Sequence, residues 1–192
     1  MPELIVLVPT LPKPCLSKLL ESLKPQMHLI KELIVSMDGT SPAKARNALF
    51  KKAQNFAPFD AVLFLDDDVV CAPDFIEKGL KNLFSEYQKI DYGQSRVIGN
   101  QENSPLKFIG TAMWIKRETF MMLGGFDEDY PFFNEDIDFH ICAQNKKMRC
   151  GFFSDSVCWH HGLGGYEKLV AGNELLKIKH PKEYLMLKKE LR

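Results

Sequence analysis

Apolar residues in this chain fall into short unbroken runs separated by stretches with a 3.6-residue period. Leu4-Ile5-Val6-Leu7-Val8 and Ala61-Val62-Leu63-Phe64-Leu65 contain no polar member, the pattern of strands buried on both faces. Leu33-Ile34-Val35 is a shorter run of the same kind. Leu16, Leu19, Leu20 and Leu23 recur at the spacing of an amphipathic helix, which must stop before Pro25. Ser41 and Pro42 suit the N-cap and first turn of a second helix, predicted to turn Ala45, Ala48, Leu49, Ala53 and Phe56 inward. A third helix starts near Ala72-Pro73-Asp74 and is expected to bury Ile76, Leu80, Leu83, Phe84 and Tyr87. Strand, helix, strand, helix, strand predicts an α/β fold whose sheet is mostly parallel with right-handed crossovers.

The second half is patterned differently. Residues 91–107 are polar without a period and read as an irregular connection. Residues 108–115 read as a strand, 117–123 as a short helix closed by Gly124-Gly125, and Asn134-Glu135-Asp136-Ile137-Asp138 as a helix start. Gly151-Phe152-Phe153 opens a last strand that runs to Trp159 and reaches His160-His161-Gly162. Residues 173–192 read as helical with a break at Pro181, and their leucines and Ile178 alternate with lysines. Such a segment packs on the sheet or on a second copy as a homodimer contact, or lies peripherally on an anionic membrane surface near a lipid-linked acceptor.

Composition narrows the classes. Lys plus Arg and Asp plus Glu both number 25, so no overall field draws the chain to nucleic acid. No apolar run reaches the length of a membrane span, and Glu3 stands where a cleavable segment would be basic, so a cytoplasmic protein is expected. The 192 residues suit one domain. Five cysteines without a CxxC pair read as small buried hydrophobes, with one disulfide left open, and match neither a disulfide framework nor a zinc site.

The candidate chemistry lies where apolar runs end. A buried strand cannot continue through Asp66-Asp67-Asp68 without a large desolvation cost, so these acids mark its exit from the core. If the backbone stays extended, Asp66 and Asp68 point to one side and Asp67 to the other, so two carboxylates converge on a hard cation. Asp38 ends another strand, and His160 and His161, possible metal ligands, end the last one. Such a rim suits a phosphorylated substrate, because a divalent ion on one or two carboxylates completes its shell with phosphate oxygens. Arg46 supplies a second positive group or is an ordinary surface arginine. Asn134-Glu135-Asp136 suits catalysis or plain helix capping, and the acidic run suits capping of the next helix.

Six motifs in order carry a family resemblance: Val8-Pro9-Thr10, Asp38-Gly39-Thr40, Ala45-Arg46-Asn47, Asp66-Asp67-Asp68-Val69-Val70 with Pro73-Asp74-Phe75, Gly124-Gly125-Phe126-Asp127 leading to Glu135-Asp136-Ile137-Asp138, and His160. Together they resemble a GT-A-fold glycosyltransferase, most similar to glycosyltransferase family 2, across about residues 4–165. The resemblance implies a single-domain nucleotide-diphospho-sugar transferase fold, a mixed Rossmann-like sheet flanked by helices. It implies a domain at 1–172, with a nucleotide-binding half at about 1–90 and an acceptor half at 91–172, before a helical tail at 173–192. Pro9, Thr10, Asp38, Arg46, Asp66 and Asp67 would then bind a UDP- or GDP-linked donor. Asp68, with Asp66 and with His160 or His161, would hold Mn²⁺ or Mg²⁺. Asp136, beside Glu135, would be the general base toward a hydroxyl of a carbohydrate, glycoprotein or lipid-linked acceptor, with inversion. The QxxRW motif of processive synthases is absent, which favours limited sugar addition. Two alternatives stay open. Leu65-Asp66-Asp67-Asp68-Val69-Val70 also matches the nucleophile loop of haloacid-dehalogenase-type phosphatases, with Asp66 as nucleophile, and a non-catalytic carbohydrate- or nucleotide-binding module would share the fold.

Overall fold

The first apolar run forms β1 (Leu4–Pro9), which pairs in parallel with β2 (Glu32–Ser36) on one side and β3 (Ala61–Leu65) on the other. The helices α1 (Leu16–Leu23) and α2 (Pro42–Ala53) make the crossovers. This computed structural model describes residues 1–10, 16–36, 41–99, 108–161 and 166–190. A short strand β4 (Val69–Cys71), α3 (Phe75–Leu83), β5 (Tyr92–Gly99), β6 (Ala112–Lys116), α4 (Arg117–Leu123), α5 (Glu135–Asn145), β7 (Cys150–His160), α6 (Tyr166–Lys179) and α7 (Pro181–Glu190) complete the order. The sheet runs β2-β1-β3-β6-β5-β7-β4.

Alternate residues of the buried strands feed two cores. Leu4, Val6 and Val8 join Leu63 and Leu65 under Leu19 and Leu23 of α1 and Phe75 and Leu80 of α3. Ile5, Leu7, Val62 and Phe64 join Leu49 and Phe50 of α2, Phe120 of α4 and Phe139 of α5. The result is a sheet with helices on both faces, which explains why β1 and β3 carry no polar residue.

The sheet is mixed, as the family resemblance implied, and the mostly parallel expectation holds for β1, β2 and β3 and for the β5–β7 pair alone among the strands described. β6 runs antiparallel to β3 and to β5, and β4 runs antiparallel to β7, while β5 and β7 are parallel. β5 also corrects the reading of residues 91–107 as irregular over 92–99, while 100–107 lie outside the described residues. Its apolar alternation is hidden because Gln94 and Ser95 are buried polar residues, 2% and 0% exposed, and hydrogen bonds satisfy them. Ser95 Oγ lies 2.7 Å from Ser156 Oγ and accepts from Trp114 Nε1 at 2.7 Å, and Gln94 Oε1 accepts from the Ile109 amide at 3.1 Å. Phe56 and Tyr87, expected inside, are exposed, and Phe50 takes the inward place on α2.

Neither expected cap residue caps its helix, and at α3 the cap comes from afar. Asp74 makes no side-chain cap at α3; the buried Gln26 instead accepts from the Ile76 amide at 2.8 Å and donates to the Ala72 carbonyl at 3.0 Å. Asn134 likewise makes no cap at α5 and donates to Asn173 on α6 at 2.9 Å. α6 starts at Tyr166, so the tail helix crosses the boundary expected at residue 173. It docks closely: a Cβ on Gly172 would stand 2.6 Å from the Phe133 carbonyl oxygen, so only glycine permits this approach. Leu176 is buried beside Tyr130 and Ile141. Among the described residues no helix is long and apolar enough to cross a membrane. Cys71 and Cys158 stand opposite each other on β4 and β7 as free thiols.

Candidate active site

β3 leaves the core at Leu65, and the chain turns through Asp66, Asp67 and Asp68 before entering β4. The Asp66 amide donates to the Thr111 carbonyl at 3.0 Å, which fixes the turn against the segment leading into β6. From there the carboxylates diverge. Asp67 is buried and accepts from the Thr10 hydroxyl at the end of β1. Asp68 lies 3.2 Å from His160 Nε2, at the end of β7. Ligand atoms of Asp66, Asp68 and His160 all fall within 4.8 Å of one another. His161 is exposed and meets this turn through its backbone amide, which donates to the Asp68 carbonyl at 3.1 Å. Strand alternation accounts for the choice between the histidines, since neighbours at a strand end face opposite ways.

Arg46 is not a surface arginine. Its side chain is 5% exposed and joins two parts of the site that are far apart in sequence. One nitrogen pairs with Asp66 Oδ1 at 3.1 Å, the other pairs with Glu135 Oε1 in the first turn of α5, and the guanidinium lies 5.5 Å from the centre of the Phe126 ring. Burial opposes the Arg46 charge, but Glu135, Asp66 and Asp136 together outweigh it and raise its pKa. Burial raises Asp66, with Asp68 adding to the effect and Arg46 and His160 opposing it. Burial likewise raises Glu135 against the pull of Arg46. Burial disfavours the charged form of His160, yet the Asp68 carboxylate prevails and raises it.

Asp136 faces the same place. Its Oδ2 accepts from the Gly110 amide at 2.5 Å and its Oδ1 from the Ile137 amide at 2.9 Å, so the carboxylate is held at both oxygens. A Cβ on residue 110 would stand 2.9 Å from Asp136 Oδ2 and 3.2 Å from Arg46. Glycine is what lets the backbone approach both groups there. Asn47, next to Arg46 on α2, fixes the loop after α4 by accepting from the Phe126 amide at 2.9 Å and donating to the Phe126 carbonyl at 2.8 Å. Asp138, two residues on, turns away toward Tyr130 and His180.

The structure thus brings Thr10, Arg46, Asp66, Asp67, Asp68, Glu135, Asp136 and His160 to one end of the sheet. Pro9 ends β1 beside them, opposite Ser36. Asp38 lies outside the described residues. Gly110 and Thr111 carried no sequence signal, because their contribution is backbone hydrogen bonding and close approach. Carboxylate oxygens from Asp66 and Asp68 with an imidazole nitrogen are a donor set that fits Mn²⁺ or Mg²⁺, and His160 Nδ1 is buried without a hydrogen-bond partner among the described residues.

Residues 40–154, more than half of the chain, match the family described as glycosyl transferase family 2. The chain belongs to glycosyl transferase family 2. Solved structures agree on the fold. Staphylococcus aureus TarS 1-349 in complex with UDP-GlcNAc superposes with a TM-score of 0.71 at 15% identity, covering 92% of this chain and 65% of that one. Glucosyl-3-phosphoglycerate synthase from Mycobacterium tuberculosis, in complex with Mn²⁺, UDP and phosphoglyceric acid, gives 0.70 at 16% identity over 92% and 78%. The mannosyltransferase PcManGT from Pyrobaculum calidifontis, in complex with GDP-Man and Mn²⁺, gives 0.65 at 18% identity over 90% and 61%. The chain therefore spans slightly less than two thirds of the TarS 1-349 structure. No curated protein sequence matches the chain. Membership of glycosyl transferase family 2 decides against the phosphatase alternative, and the carboxylate cast there as nucleophile is paired with Arg46.

Proposed function

We propose that this chain transfers a sugar from a nucleotide-diphospho-sugar to an acceptor hydroxyl with inversion. The observation that carries the reading is the convergence of Asp66, Asp68 and His160 at two strand ends, linked through Arg46 to the helix that begins Glu135-Asp136. Asp66, Asp68 and His160 would hold Mn²⁺ or Mg²⁺, which when bound supplies neutralising charge for a leaving diphosphate. Thr10 orients Asp67 through its hydroxyl, and Pro9 closes the strand beside it. Asp38 keeps the nucleotide-contact role that the family resemblance implies. Asp136 accepts the proton of the acceptor hydroxyl, and Glu135 acts through Arg46 as a positioning residue. The UDP-GlcNAc and GDP-Man held by TarS and PcManGT support a UDP- or GDP-linked donor, while a carbohydrate, glycoprotein or lipid-linked acceptor rests on the family resemblance.

Two substitutions test it. Asp68→Asn removes one formal charge at nearly constant volume and is expected to abolish Mn²⁺-dependent UDP or GDP binding in calorimetry while the circular dichroism spectrum is kept. Unchanged affinity would overturn the metal assignment. Asp136→Asn is expected to spare donor binding and lower kcat on the order of 100-fold to 10,000-fold, the contribution of a general base. Wild-type kcat would remove Asp136 from the chemistry. A wild-type chain that binds nucleotide but turns over no sugar nucleotide would instead be a binding module.

A further inference from the structure

Further along α5 from Glu135 and Asp136 lies a second group of ligand-type side chains. Asp138 and Cys142 are four residues apart and share a helix face. His180, between α6 and α7, closes on them: its Nε2 is 2.7 Å from Asp138 Oδ1, and Cys142 Sγ is 4.0 Å from Asp138 Oδ2. Carboxylate oxygen, thiol sulfur and imidazole nitrogen fall within 4.8 Å of one another. Asp138 is 7% and His180 13% exposed, and the Tyr130 hydroxyl donates to Asp138 Oδ1 at 3.2 Å, a contact that orients the carboxylate. The same three residues line a pocket of about 340 Å³ with Phe126, Phe139 and Lys179. Phe126 forms the wall between this pocket and Arg46.

We propose that Asp138, Cys142 and His180 form a second metal site that takes a zinc-class cation, independent of the diphosphate-facing carboxylates. A thiolate with an imidazole selects a borderline-soft ion over Mg²⁺ or Mn²⁺, and three protein ligands beside a pocket leave the fourth position to water. Bond lengths of about 2.0–2.3 Å in a tetrahedron set ligand atoms roughly 3.3–3.8 Å apart. The present spacings reach that range by small side-chain rotations, with the His180–Asp138 hydrogen bond opening and the sulfur closing. Binding forms metal–oxygen, metal–sulfur and metal–nitrogen bonds. The thiol proton leaves to solvent and the proton on His180 Nε2 is displaced, so metal uptake releases acid. Because His180 follows α6, the ion would clasp the tail to the helix that carries Asp136.

The test uses the full chain, stripped with chelator and titrated with Co²⁺ without nucleotide. A thiolate-to-cobalt charge-transfer band is expected at one equivalent, bleached by Zn²⁺, and Zn²⁺ should raise the melting temperature. Cys142→Ser is expected to lose the band, while Asp68→Asn keeps it, which separates this site from the proposed donor site. Should Cys142→Ser fail to fold, His180→Gln reads the same coordination and is expected to lose or markedly weaken the band. Absence of the band in the wild-type chain, its persistence in Cys142→Ser, or a wild-type titration in His180→Gln overturns the proposal.

Discussion

Replacing Arg46 by Met would remove the cation that pairs with both Asp66 and Glu135 while roughly filling its volume. The Arg46 and Glu135 side chains are each 5% exposed, so the loss strands a buried carboxylate, whereas Asp66 at 29% exposure retains solvent. Breaking a buried pair from one side costs about 3–5 kcal/mol, and the more exposed Asp66 pair adds at most about 1 kcal/mol. For a chain of this length each kcal/mol moves the melting temperature by about 2–4 °C, so a fall of roughly 6–24 °C is expected. The deficit should depend on pH with a definite sign. Burial already raises Glu135 against Arg46, and without the guanidinium it rises further. A carboxyl raised in the folded state favours folding below its unfolded value and loses that contribution as pH climbs through the folded value. The variant should therefore lose more stability at about pH 8 than at about pH 5. Arg46→Met/Glu135→Gln removes the stranded charge and should recover about 1–3 kcal/mol. Urea denaturation of the single and double variants measures this. A single-variant loss under about 1 kcal/mol, or a double variant with no recovery, would refute the buried-bridge reasoning.

The remaining predictions concern pH and the tail. His140 stacks on Phe108 at 4.6 Å with Nδ1 2.9 Å from the Tyr92 hydroxyl, and burial lowers it from 6.5 to about 4. The unfolded chain therefore takes up a proton that the folded chain refuses, and stability falls by about 1–3 kcal/mol as pH drops through that window. His140→Gln should flatten this slope in denaturation curves, and parallel curves for the two proteins would refute it. For the tail, the buried Leu176 and the pairs of Lys179 with Asp127 and Asp129 favour docking on the chain itself. The full chain is thus expected to stay soluble beside phosphatidylserine vesicles at low salt. Flotation that disappears when the exposed Ile178, Leu185 and Met186 become serine would restore the membrane role.

Local pattern was enough for the first half of the fold. The unbroken runs of β1 and β3, the spacing of Leu16 to Leu23 and the Ser41-Pro42 start express preferences that neighbouring residues settle among themselves. The Ser41 side chain does accept from the Lys44 amide, at 3.5 Å. The acidic exit of β3 was legible for the same reason, because three carboxylates cannot follow a buried strand inward. The reversal of β6, the polar strand β5 and the burial of Arg46 were not legible, because each rests on partners distant in sequence. Gln94 and Ser95 look like loop residues until Ile109, Trp114 and Ser156 satisfy their hydrogen bonds. Arg46 looks like a surface residue until Glu135, 89 positions away, meets it in the core. The choice of His160 over His161, the amide of Gly110 on Asp136 and the meeting of Asp138 with His180 are of the same kind. Sequence determined which residues bear charge and where strands end; only tertiary packing, which makes a buried charge tolerable when a partner arrives, decided which of them share a site.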